Sequence, residues 1–511
     1  MNMKNVKQYS LIALLFLLAS SCYKDKGNYA YDDLSKVEII FDGGRFINPR
    51  SSDTLDINPK LVFSGDTVRA NTVAENFTFT WYCNGKEIAT GPILDYPVRD
   101  LTGIRPYIKL KVVNKKNEAT FLDGFTVDAI PAYLLGWVML TKRDNRSIIS
   151  FIDPVTFEVT ADFYTTISGE ELGPNAIEVR EHWMAGGGLS NPGNVLIVRN
   201  DAAGNIELDG TTLNPIYKTN TFFLGNTVPE DFRPRGEFYM WDYSIMLDDN
   251  GNIYTRKHVN NAYSQSGVYP NKPMFIPGGV KFDKGWSGSY MSGQTILYDK
   301  TKGKLFEGSD HGQVIPINYM PGPPIPPGTT MIDAMDKELV YVGPLKQGRF
   351  TTSYNLIFYN GTQHYVQKIM VIDQFYTAQA VFMGETSFGA GTANAQSIFY
   401  QLPRIENYMF YSGGSGNKTL YLYEHGPAMS SEYYSFDSPI KTITACQNQL
   451  MGVFTHDQIM VGLENGDVYI LGILSDEIAD PARRLKKKIV LDKGVPVSSM
   501  YKMGFGFNQM M

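Results

Sequence analysis

Apolar and polar residues alternate along most of this chain with a period of two, the pattern of half-buried strands; helical spacing is almost absent. Phe77, Phe79 and Trp81 alternate with Thr78, Thr80 and Tyr82. The run stops at Asn84-Gly85, where both residues tolerate positive φ and predict a tight hairpin. Ile108, Leu110 and Val112 alternate with Lys109 and Lys111, and Ala119 to Val127 returns after the polar turn Asn114-Lys115-Lys116-Asn117. Leu55 to Phe63 reads as one further strand. A Trp in a central strand, with such strands over some ninety residues, predicts an immunoglobulin-like sandwich across 36–130. No cysteine pair brackets that Trp, so the antibody type is excluded.

Beyond Ile130-Pro131 strands come in clusters, each around a turn rich in Gly, Asn or Asp. The turns are Asp144-Asn145, Gly204-Asn205, Asp248 to Asn252, Thr301-Lys302-Gly303, Lys346-Gln347-Gly348 and Glu464-Asn465-Gly466. One more cluster comprises Ser397–Gln401, Tyr408–Ser412 and Thr419–Tyr423. The clusters recur at roughly fifty residues, the spacing of a four-stranded propeller blade. Residues 131–511 are therefore expected to form a β-propeller of about seven blades, with eight as the variant. A second sandwich with an irregular domain is the competing architecture. The fold class is all-β. The segment Pro321 to Gly328 is too rich in proline for a central strand and reads as a stiff connection.

The first residues add a different kind of information. Lys4 and Lys7 form a basic start, Leu11 to Ala19 an apolar stretch too short to span a bilayer, and Ala19-Ser20-Ser21 lead into Cys22. Small residues before a cysteine form the bacterial lipobox pattern. Residues 1–21 are expected to be a lipoprotein signal peptide, Cys22 the lipidated residue, and 22–35 a polar tether. Only Cys83 and Cys446 remain, and both are expected to be buried thiols rather than a disulfide.

The chain has 511 residues, more than one ordinary domain, with 46 basic and 52 acidic side chains. An acidic balance excludes a general nucleic-acid binder. The basic run Arg483 to Lys488 reads as a solvated loop or strand edge. Catalytic and metal motifs are missing. The six histidines (His182, His258, His311, His364, His425 and His456) show no zinc spacing. Ser309-Asp310-His311 are adjacent in sequence, whereas a triad converges from separate segments. Asp248-Asp249-Asn250-Gly251-Asn252 begins like a calcium loop but has Lys257 where the bidentate Glu belongs. No cofactor or metal site is expected. Tyrosines 408, 411, 421, 423, 433 and 434 suit stacking on a sugar or peptide, although strand packing explains most of them.

Cys22-Tyr-Lys-Asp-Lys-Gly-Asn-Tyr followed by Val37-Glu-Ile-Ile, the Trp81-Tyr-Cys-Asn-Gly-Lys strand and turn, and Gly136-Trp-Val-Met-Leu140 with Ser147 to Ile152 resemble the PKD-like family lipoproteins of Bacteroidetes. The resemblance covers about residues 15–155. It implies an outer-membrane lipoprotein, facing the cell surface or the periplasm, that is accessory to a SusC/SusD-type TonB-dependent transporter taking up oligosaccharides or peptides. The cysteine is followed by Lys24-Asp25-Lys26 rather than the acidic cluster that favours surface export. The expected role is non-catalytic: ligand binding, docking on the transporter, or both. A hydrolase or lyase with its site in the propeller funnel, and a purely structural subunit, are the alternatives.

Overall fold

A computed structural model describes residues 36–502 except 52, 64, 103–104, 130–131, 183–192, 241–242, 258–266, 288–293, 310, 321–336, 348–350, 374–376, 389–391, 403–404 and 448–456. The signal peptide, Cys22, the tether and the Pro321 to Gly328 segment lie outside the described residues. So do His258, Asp310 and His456. The chain divides into two compact units, Met1–Ile130 and Pro131–Met511.

The first unit is a sandwich of ten strands: β1 (Glu38–Ile40), β2 (Phe46–Ile47), β3 (Thr54–Ile57), β4 (Lys60–Phe63), β5 (Asp66–Arg69), β6 (Phe77–Cys83), β7 (Lys86–Thr90), β8 (Leu94–Pro97), β9 (Tyr107–Asn114) and β10 (Thr120–Val127). One sheet has the order β1-β4-β5, the other β2-β10-β9-β6-β7, and β3 pairs with β8. The inward residues Phe77, Phe79, Trp81, Ile108, Leu110 and Val112 are buried in one core with Leu61 and Phe125. Trp81 is fully enclosed, and its indole Nε1 donates to Gly91 O at 2.9 Å. The expected hairpin forms, with Asn84 and Gly85 both at positive φ. The expected strand from Leu55 to Phe63 is instead two strands, β3 and β4, in different sheets. Pro59 sits between them; it has no N–H for a ladder, and its carbonyl accepts from Ala70 N.

The second unit contains seven antiparallel blades among the described residues. Blade 1 is Val495–Lys502, Gly136–Arg143, Arg146–Ile152 and Val159–Thr160, in the order in which the strands pair. Blade 2 is Ala176–His182, Asn194–Arg199, Ile206–Leu208 and Pro215–Lys218. Blade 3 has three described strands, Pro234–Tyr239, Tyr243–Asp248 and Ile253–Lys257. Blade 4 is Lys284–Ser287, Gln294–Asp299, Lys304–Ser309 and Val314–Tyr319, and blade 5 is Glu338–Gln347, Thr351–Tyr359, His364–Asp373 and Ala378–Ser387. Blade 6 is Phe399–Gln401, Tyr408–Gly413, Thr419–Glu424 and Met429–Ser435. Blade 7 is Ile440–Gln447, Asp457–Leu463, Asp467–Gly472 and Leu485–Val490.

The ring closes through the last strand. Val495–Lys502 pairs with Gly136–Arg143 of the first blade, so both ends of the unit share one sheet. Closure removes the open edges that would otherwise seed association. The fourth strands of blades 4 and 5 also pair, in parallel through Ile317↔Ala378 to Tyr319↔Ala380, and fuse two blades into one eight-stranded sheet.

The strand clusters fall where the sequence places them. Central turns carry positive φ at Asp144 and Asn145, Gly204, Gly251, Gly303, Gly361, Gly416 and Gly466. In blade 5 the strands around Gln347 are its first and second strands, and its central turn is Asn360-Gly361. Asp248 Oδ1 accepts from Asn252 N at 2.8 Å, and its Oδ2 accepts from Asn252 Nδ2 at 2.9 Å. That stretch is a hairpin turn tied by its own side chains. The basic run Arg483 to Lys488 leads into and forms the outer strand of blade 7, with Lys488 on Asp467 at 2.9 Å and Arg483 on Asp476 at 2.7 Å.

Candidate functional site

Most strand residues of the ring are apolar, so a charge within them must be held by neighbours. Glu307 on the third strand of blade 4 is one such residue, and two more lie close together. Glu207 lies between Ile206 and Leu208 on the third strand of blade 2. Glu237 follows Gly236 on the first strand of blade 3. Both are fully buried.

Glu207 Oε1 is 2.6 Å from His182 Nδ1 and accepts from Asn194 Nδ2 at 2.6 Å. Glu237 Oε2 accepts from Asn205 Nδ2 at 2.7 Å and Thr219 Oγ1 at 3.3 Å, and its Oε1 accepts from Tyr269 OH at 2.8 Å. Tyr239 joins the two, its hydroxyl lying 3.2 Å from Glu207 Oε2 and 3.0 Å from Glu237 Oε1. Tyr217 OH is 2.7 Å from Tyr239 OH. Arg256, also buried, lies against the rings of Phe222, Tyr269 and Tyr217. Burial opposes the charged form of Glu207. The charge on His182, with hydrogen bonds from His182, Tyr217 and Asn194, outweighs it and holds the carboxyl below its ordinary range. The arrangement is a polar seam that staples blade 2 to blade 3.

Beside it, Lys502 ends the closing strand. Its ammonium is buried and donates to Leu134 O at 3.0 Å. Burial lowers its pKa to about 8, against the opposing pull of Glu181 and Asp209. A second seam links blades 5 and 6. Asn355 Nδ2 donates to Gln401 Oε1 at 2.8 Å, and His425 Nε2 lies 3.0 Å from Asn355 Nδ2 and 2.9 Å from Gln401 Oε1. Burial first, and then the charge of Lys368, bring His425 down to about 4.

These groups can fix charge and orient neighbouring strands. With their carboxylates closed off from solvent, they present no acid and base to a polymer. Among the described residues no group of His, Cys, Asp and Glu is arranged to hold a metal. Cys83 and Cys446 are buried and in no disulfide. Ser309 is buried, and the neighbouring His311 is exposed. Of the six tyrosines, Tyr411, Tyr423 and Tyr433 are buried and the other three are half-buried in blade packing. Sequence reading did not single out Glu207, Glu237 or Lys502. The available signal was a charge inside an apolar strand, as in Ile206-Glu207-Leu208.

Residues 22–175 match the PKD-like family. The match covers the sandwich and extends into the first blade. No curated protein matches the chain. Among solved structures, a quinonprotein alcohol dehydrogenase-like protein from Bacteroides thetaiotaomicron is 13% identical over 89% of this chain and 96% of its own, with a TM-score of 0.44. The computationally designed Ika8 protein is 9% identical over 72% and 91%, TM-score 0.37. Kluyveromyces lactis Hsv2 is 11% identical over 70% and 99%, TM-score 0.37. Likenesses this distant bear on neither activity nor ligand.

Proposed function

We propose that this chain is a lipid-anchored, non-catalytic accessory protein of a nutrient-uptake system at the outer membrane. Cys22 carries the lipid and the PKD-like sandwich acts as a spacer. The propeller is a rigid platform that binds an oligosaccharide or peptide, docks on a SusC/SusD-type transporter, or does both. The observation that carries this reading is positional. The family match begins at residue 22, the cysteine at which the lipobox pattern Ala19-Ser20-Ser21-Cys22 ends. A rigid ring suits the platform role, because preorganised loops lower the ordering cost of binding. The buried seams support a non-catalytic role, since their carboxylates are committed to internal partners.

The test replaces Cys22 with Ser in the full chain expressed in its host. The parent is expected in the membrane fraction with the added mass of a diacylglycerol thioether. The variant is expected to leave that fraction and lose that mass. A variant that stays in the membrane at unchanged mass would refute the anchor. Binding of the chain from Tyr23 onward to glycan and peptide panels, with and without transporter, tests the platform. Release of small products from a polymer would instead favour a hydrolase or lyase.

A further inference from the structure

The outer face of the five-stranded sheet in the sandwich is built unlike a solvated sheet face. Register fixes which residues share it. Leu122 pairs with Lys111, Gly124 with Lys109, and Thr126 with Tyr107, and Phe46 stands opposite Thr126 on the parallel strand β2. All these lie opposite the buried Ile108, Leu110 and Val112. In the whole chain Phe46 is 75% exposed, Leu122 59% and Tyr107 40%. A Cβ added at Gly124 would sit 2.8 Å from the Tyr107 ring, so the missing side chain gives that tyrosine room to lie on the sheet. Lys109 is exposed and Lys111 half-buried on the same strand. Glu87 stands across the sheet on β7, paired with Tyr82.

Large apolar side chains standing out of a face that also carries lysines match the interfacial zone of an anionic bilayer. There aromatic and aliphatic groups enter the acyl boundary while ammonium groups meet phosphate. We propose that this face docks on the anionic lipid surface to which the chain is tethered, which rests on the lipid-anchor reading above. Only the segment 23–35 separates Cys22 from the first described residue, Lys36. Fully extended, it reaches at most about 50 Å. A tether that short keeps the sandwich at a millimolar-scale effective concentration over the bilayer, so a weak surface affinity is enough to orient it.

The experiment uses the chain from Tyr23 to Met511, without lipid, so its outcome does not depend on Cys22 modification. Sedimentation with vesicles of phosphatidylglycerol mixed with phosphatidylcholine is compared with vesicles of phosphatidylcholine alone, at low and at physiological salt. The parent is expected to bind the anionic vesicles more tightly, and less so as salt rises. The double variant Lys109→Glu/Lys111→Glu is expected to lose at least about tenfold in affinity, as is Phe46→Ser/Leu122→Ser. Lys109→Gln/Lys111→Gln is expected to fall between parent and charge reversal. Lys487→Glu, on the outer strand of blade 7, is expected to bind like the parent. Failure to bind phosphatidylglycerol vesicles overturns the proposal. So does parent-like binding by either double variant. Failure of the lipid anchor is read separately, in the Cys22→Ser fractionation.

Discussion

Replacing Lys502 with Met should make the propeller more stable at neutral pH, although it deletes a buried hydrogen bond. The lysine is fully enclosed at the end of the closing strand, and burial lowers its pKa from 10.5 to about 8. A lysine with a folded value below its unfolded one costs stability wherever both states are protonated. At 1.36 kcal/mol per unit, that cost is about 3 kcal/mol at pH 7. The contact with Leu134 O returns about 1 kcal/mol, so the variant should gain about 2 kcal/mol. Met has nearly the same length and leaves little void. Between pH 8 and 10.5 the unfolded chain binds the extra proton, so stability rises with pH. From pH 7 to 9.5 the parent should gain about 2 kcal/mol from this group, and the variant should lack that gain. Urea denaturation at the two pH values, followed by tryptophan fluorescence, reads the difference. Trp137 is a suitable reporter, stacked edge-on to Tyr501 with centroids 4.6 Å apart beside the substituted residue. A variant less stable than the parent at pH 7, or one with an unchanged pH gain, would refute the reasoning.

Glu207→Gln should destabilise the ring by about 1–3 kcal/mol at pH 7, because it removes the buried carboxylate that accepts from Asn194 and meets His182 Nδ1 inside the seam. The folded value of Glu207 is depressed, so its contribution is present above the unfolded value near 4.5 and fades as the pH falls through the folded one. Urea midpoints for parent and variant should therefore converge in acid. Trp81→Ala should cost about 3–5 kcal/mol in the sandwich alone. Calorimetry is expected to show the sandwich transition move down while that of the propeller stays in place.

The fold was legible in this sequence because sheets write their burial in a period of two and their turns in glycine and asparagine. Phe77, Phe79 and Trp81 point inward as their alternation requires. Seven central turns announce seven blades, since only residues that accept positive φ fit them. Two features were not legible in the same way. The break at Pro59 divides a run that alternation alone reads as continuous, and only the missing N–H explains it. In blade 5 the expected pair of strands around Lys346-Gln347-Gly348 forms, but as the first and second strands, and the central turn at Asn360-Gly361 was not singled out. Every turn in a meander resembles every other, so local composition does not say which of them is central.

The polar seams were hidden for a deeper reason. A glutamate in an apolar strand is an anomaly to any pattern based on side-chain type, and its partners arrive from other strands. Glu207 is held by His182 and Asn194, from the first and second strands of its own blade, and by Tyr239 from the next blade. No window along the chain contains that set. Closure has a similar basis, since Lys502 meets Leu134 only once the last strand has entered the first blade. Glu207 takes one partner, Tyr239, from the next blade, so its set is completed only as blades 2 and 3 pack together. Lys502 is enclosed by closure of the ring at a cost in stability. A ring held in this way offers a partner a rigid surface, which is what the proposed platform role requires.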